Sequence, residues 1–110
     1  MRKLSTEELE RLISGGESFV LINVLPADQF DATRIPGARN IPLEEPHFAS
    51  RVGEAVGGKD KRIVVYCASE DCPASTKAAG QLEAAGFRNV FDYKEGAQGW
   101  DAEQIVRSDI

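Results

Sequence analysis

Two short stretches of the chain, residues 19–24 and 62–66, are almost wholly apolar. Continuous apolar runs of this length are typical of strands that are buried on both faces of a parallel sheet. Residues 90–91 indicate a third strand, and residues 41–43 indicate at most a short strand at an edge. The first apolar run is therefore predicted to lie in the centre of a sheet.

Helical patterns alternate with these strands. Ser5 and Glu8 fit a capping box, which predicts the start of a helix at residue 6. The predicted helices cover residues 6–13, 26–30, 48–56 and 75–85, with a loop over 96–100 before a last helical segment. This alternation of strands and helices predicts an α/β domain whose parallel sheet is covered on both faces.

Composition narrows the possible partners. A chain of 110 residues is long enough for one core and too short for two, so we expect a single domain over residues 1–110. The net charge is −5 and the 13 Lys and Arg residues are scattered, whereas a nucleic-acid partner requires a concentrated basic face. We therefore expect no nucleic-acid partner. We also expect the protein to be a monomer or a weak dimer.

The start of the chain and its apolar runs also bear on location. Glu7 and Glu8 fall where a signal peptide would be apolar, and no run approaches the ~18 apolar residues of a membrane span. A cytoplasmic location without a membrane partner is the expectation. In a reducing compartment, two cysteines are expected to be reactive thiols or inert core residues rather than a permanent disulfide.

Cys67 is the first candidate for chemistry. It follows the apolar run at 62–66 and precedes a short loop that leads into the helix predicted at 75–85. A thiol between a strand end and a helix N-terminus lies where backbone N–H groups and the helix dipole favour the thiolate. The alternative is that Cys67 is a small buried hydrophobic residue that ends a strand.

The chain resembles a single rhodanese-like domain over almost its whole length. The segments that carry the resemblance are LINV at 21–24, RIPGARNIP at 34–42, VVYC at 64–67, STKAA at 75–79 and GAQGW at 96–100. The resemblance implies a three-layer α/β domain with a parallel sheet of about five strands flanked by helices. It also implies that Cys67 carries a persulfide during sulfur transfer, and that Cys72 marks the subtype with a second cysteine in the active-site loop.

The same resemblance implies a substrate-binding loop. We expect the bound substrate to be contacted by residues of this loop and of the following helix: Ala68, Ser69, Glu70, Asp71, Ala74, Ser75 and Lys77. Lys77 is a secondary candidate, since a lysine on a helix is more often solvated. Cys72 resolves the persulfide by forming a disulfide, protects Cys67 from over-oxidation, or is an incidental loop thiol.

Several residues depart from the family pattern. Ala74 stands where the family has an arginine that binds anions, and Glu70 and Asp71 add negative charge beside the pocket. These changes predict that thiosulfate, a dianion, is a poor sulfur donor. Asn23, Leu25 and Arg34 replace the Asp, Arg and His found in many members, which weakens an acid-base pair of the scaffold.

The expected function is therefore that of a sulfurtransferase. It would move sulfane sulfur through Cys67 from thiosulfate, polysulfide or a protein persulfide to a thiol or cyanide. The alternative is a non-catalytic sulfur-carrier or redox-sensing module that uses Cys67 and Cys72. Phosphatase or arsenate-reductase chemistry is disfavoured because no arginine lies between Cys67 and Arg88. Cys67, Cys72 and the lone His47 offer at most three metal ligands, so no metal or cofactor is expected.

Overall fold

The computed structural model describes residues 2–108. Five parallel strands form one sheet in the order β1-β5-β4-β2-β3. Their bounds are β1 Arg2–Lys3, β2 Val20–Asn23, β3 Arg39–Asn40, β4 Arg62–Tyr66 and β5 Asn89–Tyr93. The predicted first strand, β2, lies between β3 and β4, so it is an interior strand, but the central strand of the five is β4.

The described residues form five α-helices, of which four connect strands and the last follows β5. They are α1 Thr6–Ser14, α2 Ala27–Phe30, α3 Phe48–Val56, α4 Ala74–Ala84 and α5 Gly96–Ser108, and a 3-10 turn, Asp31–Thr33, follows α2. The capping box predicted at the start of α1 is present, with the Ser5 hydroxyl accepting from the Glu8 amide. Gly57 ends α3 with a left-handed backbone, at φ 82°.

The two faces of the sheet bury separate apolar clusters. Ile63, Val65 and Cys67 face a cluster that includes side chains of α3 and α4. Val64 and Tyr66, which alternate with them, face a second cluster with side chains of α1 and α5. The predicted three-layer α/β arrangement is therefore confirmed.

Two local predictions need correction, and one strand was not predicted. The segment over 96–100, predicted as a loop, forms the first turns of α5. The short edge strand lies at Arg39–Asn40 and not at 41–43. The strand β1, two residues long, was not predicted because so short a segment carries no periodic signal.

Among the described residues, no helix is long and apolar enough to cross a membrane.

Candidate active site

Cys67 lies directly after β4, and its side chain is buried on the face of the sheet that packs against α4. A disulfide joins it to Cys72 across the loop, and the two Cα atoms are 6.4 Å apart. The sequence led us to expect reactive thiols rather than a permanent disulfide. The structure shows the oxidised form of a pair that lies close enough to react.

The loop between β4 and α4 is folded back on itself. The Cys72 amide donates to the Ser69 carbonyl at 3.1 Å, which closes a tight turn. Within the described part of the chain, the backbone amides of residues 68–71 donate no hydrogen bond to a protein acceptor. These amides are therefore donors that an anionic sulfur group bound at the loop can use.

The start of α5 fixes the other side of the loop. The amides of Ala97 and Gln98 donate to the carbonyls of Cys67 and Ala68, each at 2.9 Å. Gly96, which precedes them, has φ 67° and contacts the Cys67 carbonyl so closely that a Cβ would overlap it. The segment predicted as a loop is thus the first turn of a helix, and this turn holds the backbone of Cys67 and Ala68.

The predicted substrate-binding residues differ in exposure. Glu70, Asp71 and Lys77 are exposed, while Ala68, Ser69 and Ala74 are half-buried. Ala68, Cys72 and Ala74 pack against the cluster that contains Cys67. Ser75 is fully buried at the start of α4, and its hydroxyl has no hydrogen-bond partner among the described residues. The structure therefore brings most of the loop around Cys67 but leaves Lys77 in solvent.

Lys94 is a residue of this site that sequence reasoning missed. Its ammonium group donates to the Cys72 carbonyl oxygen at 3.2 Å, and the Cys67 Sγ lies 3.4 Å from the same oxygen. The sequence did not reveal it, because the predicted third strand stopped at Phe91; in the structure, Lys94 follows β5 as Cys67 follows the neighbouring β4. The site thus has a cation, supplied by a different element from the one expected.

A buried polar network supports β4 just before Cys67. The Tyr66 hydroxyl donates to the Thr33 carbonyl at 2.8 Å and accepts from the Ile35 amide at 3.0 Å. Asn23 donates to the same hydroxyl at 3.1 Å. Burial raises the pKa of Tyr66, and its hydrogen bonds with Ile35 and Asn23 oppose that rise. The network ties the turn after α2 to the strand that carries the cysteine.

The other positions that depart from the family pattern lie around this network. Leu25 is buried, and its amide donates to the Asn23 side-chain oxygen at 3.0 Å. Arg34 is exposed, where it pairs with Asp31 at 2.7 Å and covers the ring of Phe30. Asn23 and Leu25 thus serve the packing of β2, and the Arg34 charge is held by Asp31.

An open cleft of about 530 Å³ lies beside the loop, between the 3-10 turn and α5. Its walls include Thr33, Ala68, Ser69 and Gln98. Small side chains predominate, so a narrow substrate segment could approach the loop from this side.

The structure contains no group of three or more His, Cys, Asp and Glu side chains suited to a metal ion within its described residues. His47 is exposed at the start of α3. Phe87 and Trp100 are buried in the two apolar clusters, so both residues pack the core.

Comparison with known proteins identifies the family. A sequence profile described as "Rhodanese-like domain" matches residues 5–103. The chain belongs to the rhodanese-like domain family. Because the match covers nearly the whole described chain, the family resemblance noted in the sequence is confirmed.

Members of this family occur in proteins of several kinds. The chain is 35% identical over 97 residues to the HTH-type transcriptional regulator Rv0324 of Mycobacterium tuberculosis, covering 88% of this chain and 40% of that protein. It is 33% identical over 106 residues to the uncharacterized protein YibN of Escherichia coli K12, covering 96% and 71%. It is 31% identical over 101 residues to the adenylyltransferase and sulfurtransferase MOCS3-2 of Zea mays, covering 89% and 20%. The chain thus spans less than half the length of two of these three relatives.

A solved structure gives the same fold. The thiosulfate sulfurtransferase from Pseudomonas aeruginosa superimposes with a TM-score of 0.84 at 25% identity, covering 94% of this chain and 19% of that one. This structure therefore has the same rhodanese-like α/β fold as the present chain.

Proposed function

We propose that this chain is a sulfurtransferase that carries sulfane sulfur as a persulfide on Cys67. The observation that carries the proposal is the sulfur pair itself, with Cys67 at a strand end and Cys72 joined to it across a loop. The unused amides of residues 68–71 provide donors for a negatively charged sulfur. The sulfurtransferase names of the maize relative and the Pseudomonas structure support the reaction class.

The proposed transfer takes two displacement steps. The Cys67 thiolate attacks the outer sulfur of the donor, a new S–S bond forms, and the donor fragment leaves with the electron pair of the bond that breaks. An acceptor thiolate or cyanide then attacks the outer sulfur of the persulfide, and the Cys67 thiolate leaves. The protein is neither oxidised nor reduced over this cycle.

Cys72 provides a second exit from the persulfide. Its thiolate attacks the Cys67 Sγ, the Cys67–Cys72 bond forms, and hydrosulfide leaves. A dithiol reductant must then restore the thiols. A reducing compartment supplies such reductants, so we propose that the protein works in the cytoplasm.

We further propose that a protein persulfide is preferred to thiosulfate as the sulfur donor, and that polysulfide also loads Cys67. Glu70 and Asp71 are exposed on the loop, where their charges oppose an approaching dianion. Residues 68–71 of the loop and Ala74 at the start of α4 would contact the donor. The acceptor is a thiol or cyanide, and residues 1–110 would act as one rhodanese-like domain.

Mass spectrometry of the reduced protein tests the proposal. We expect polysulfide to add the mass of one sulfur atom to the peptide that contains Cys67, and a thiol acceptor to remove it. Cys67→Ser should not gain this mass, since a hydroxyl cannot form a persulfide. A load that forms but is never passed on would favour the non-catalytic module that binds or senses through Cys67 and Cys72, and loading that persists in Cys67→Ser would reject Cys67 as the carrier.

A further inference from the structure

The register of the sheet places Lys94 beside Cys67. In the parallel pair of β4 and β5, Tyr66 lies opposite Tyr93. The next residues along the two strands are Cys67 and Lys94, and both follow the last residue of their strand. Because neighbouring parallel strands present level residues on the same face, these two side chains leave the sheet next to each other.

The hydrogen bonds agree with this placement. The Lys94 ammonium donates to the Cys72 carbonyl at 3.2 Å, and that oxygen is 3.4 Å from the Cys67 Sγ. The ammonium nitrogen is therefore within roughly 7 Å of the sulfur, a range in which a unit charge acts on a partly buried group. Lys94 is half-buried and takes part in none of the ion pairs formed among the described residues.

We propose that Lys94 is the positioning cation of this site. It holds the Cys72 carbonyl in place, and its charge favours the negatively charged sulfur of Cys67 as thiolate and as persulfide. Lys94 thus supplies a positive charge from the end of β5. This charge replaces the one that is missing at Ala74, where the family has an arginine. The part that concerns the persulfide rests on the proposed function, whereas the effect on the thiolate does not.

Other charged groups surround Cys67, and some oppose its thiolate while others favour it. Glu70 and Asp71 of the loop are exposed and oppose a thiolate, and Lys77 of α4 is exposed and favours it weakly. On β5, Asp92 is buried and its carboxylate accepts from Thr76 of α4 at 2.8 Å. All of these groups are unchanged when Lys94 alone is substituted. A difference in the pKa of Cys67 between the parent and the Lys94 variant therefore reports the charge of Lys94.

Glu95 follows Lys94 but is bound elsewhere. Its carboxylate accepts from the hydroxyl of Thr6 at 2.9 Å, and Thr6 is bonded to the Tyr93 hydroxyl. Tyr93 belongs to the cluster packed with α1 and α5, on the opposite face of the sheet from Cys67. Glu95 is therefore not the counter-ion of the site.

The test is the pKa of the Cys67 thiol, measured from the rate of iodoacetamide alkylation against pH in Cys72→Ser protein. That background leaves Cys67 as the sole thiol and keeps the backbone carbonyl that Lys94 contacts. We expect Lys94→Gln to raise the pKa of Cys67 by about half a unit or more, and to slow alkylation at neutral pH about threefold. Lys94→Arg should keep the parent value, because it keeps the charge.

Lys61→Gln is the matched control, since Lys61 is exposed beside the opposite end of β4. It should leave the pKa of Cys67 unchanged, and the Lys94→Gln effect should shrink in about 1 M salt. The proposal is overturned if Lys94→Gln leaves the pKa within about 0.2 unit of the parent, or if Lys94→Arg raises it as much as Lys94→Gln does.

Alkylation needs no sulfur donor, so the two proposals fail separately. A raised pKa in Lys94→Gln, with no sulfur loading of the parent, would support Lys94 and reject the sulfurtransferase. Normal sulfur loading of the parent, with an unchanged pKa in Lys94→Gln, would support the sulfurtransferase and reject the role of Lys94.

Discussion

Gly96 and Cys67 are in direct backbone contact, and no side chain fits between them. A Cβ at position 96 would overlap the Cys67 carbonyl oxygen and lie 2.9 Å from the Ser69 amide nitrogen. The backbone of Gly96 is also left-handed, at φ 67°, a conformation that residues with a Cβ rarely adopt. The approach of α5 to the active-site loop therefore depends on a glycine at this position.

Gly96→Ala is accordingly expected to destabilise the protein and disturb the loop. We expect the free energy of unfolding to fall by about 3 kcal/mol, from the positive φ and the overlap together. Gly80→Ala is the control, because Gly80 lies within α4 with no atom within 4 Å of an added Cβ. The free energy of unfolding of Gly80→Ala, measured in urea, should rise by about 0.5–1 kcal/mol. Equal stability of the two variants would contradict the close contact.

Most of the fold could be predicted because its elements carry strong local signals. The capping box of Ser5 fixed the start of α1, and the apolar residues of β4 and the left-handed Gly57 at the end of α3 matched their predicted bounds. The start of α5 was mistaken for a loop, since Gly96 and Gly99 disfavour a helix by propensity. Its backbone bonds to Cys67 and Ala68 override that preference.

The site was only partly predictable, because some of its residues are far apart in the sequence. Cys67 and its loop are adjacent in sequence, so their proximity follows from the chain. Lys94 lies 22 residues from the carbonyl that it contacts. It meets the loop only through the register of β4 and β5, and our predicted third strand stopped at Phe91, which hid that relationship.

The Tyr66 hydroxyl is expected to stabilise the fold more than the Tyr93 hydroxyl does. Tyr66→Phe removes the one hydrogen-bond partner that the buried Ile35 amide has among the described residues, and should cost about 2 kcal/mol. Tyr93→Phe removes one bond to Thr6, whose hydroxyl keeps its bond to Glu95, and should cost about 1 kcal/mol. Urea unfolding of both variants provides the comparison. An equal or larger loss in Tyr93→Phe would be inconsistent with the network around Tyr66.

Stability should decline at alkaline pH. Burial raises the pKa of Tyr93 from 10.0 to about 12, since the phenolate is poorly solvated there. A raised pKa in the folded state stabilises it fully below the unfolded value, and this contribution is lost as pH rises from 10.0 to about 12. Urea unfolding at pH values across this window should show the decline, and Tyr93→Phe should make it smaller. A decline of the same size in Tyr93→Phe would exclude Tyr93 as a cause.

The acidic loop should discriminate against dianionic donors. Converting Glu70 to Gln and Asp71 to Asn removes two exposed charges, and should raise kcat/KM for thiosulfate several-fold at low salt. The effect on a protein persulfide should be smaller, and high salt should reduce the gain. Glu44→Gln with Glu54→Gln changes the net charge equally at exposed sites outside the loop and should have little effect. Equal gains from both double variants would attribute the effect to net charge and not to the loop.

Cys72 is expected to act after Cys67 has been loaded. Its Cα lies 6.4 Å from that of Cys67, and the turn to Ser69 and the bond from Lys94 hold its backbone there. In the absence of an acceptor, the persulfide on Cys67 should therefore decay to the intramolecular disulfide with release of hydrosulfide.

Cys72→Ser should lengthen the lifetime of the persulfide on Cys67 at least tenfold, because intramolecular attack by a positioned thiol is far faster than hydrolysis or exchange. Its rate of formation should stay nearly unchanged, since Cys67 alone attacks the donor. The loaded mass and the released sulfide are followed over time in both proteins, with Cys72→Ala to exclude an effect of the serine hydroxyl. Indistinguishable decay, with no disulfide formed in the wild type, would mean that Cys72 is only a loop thiol.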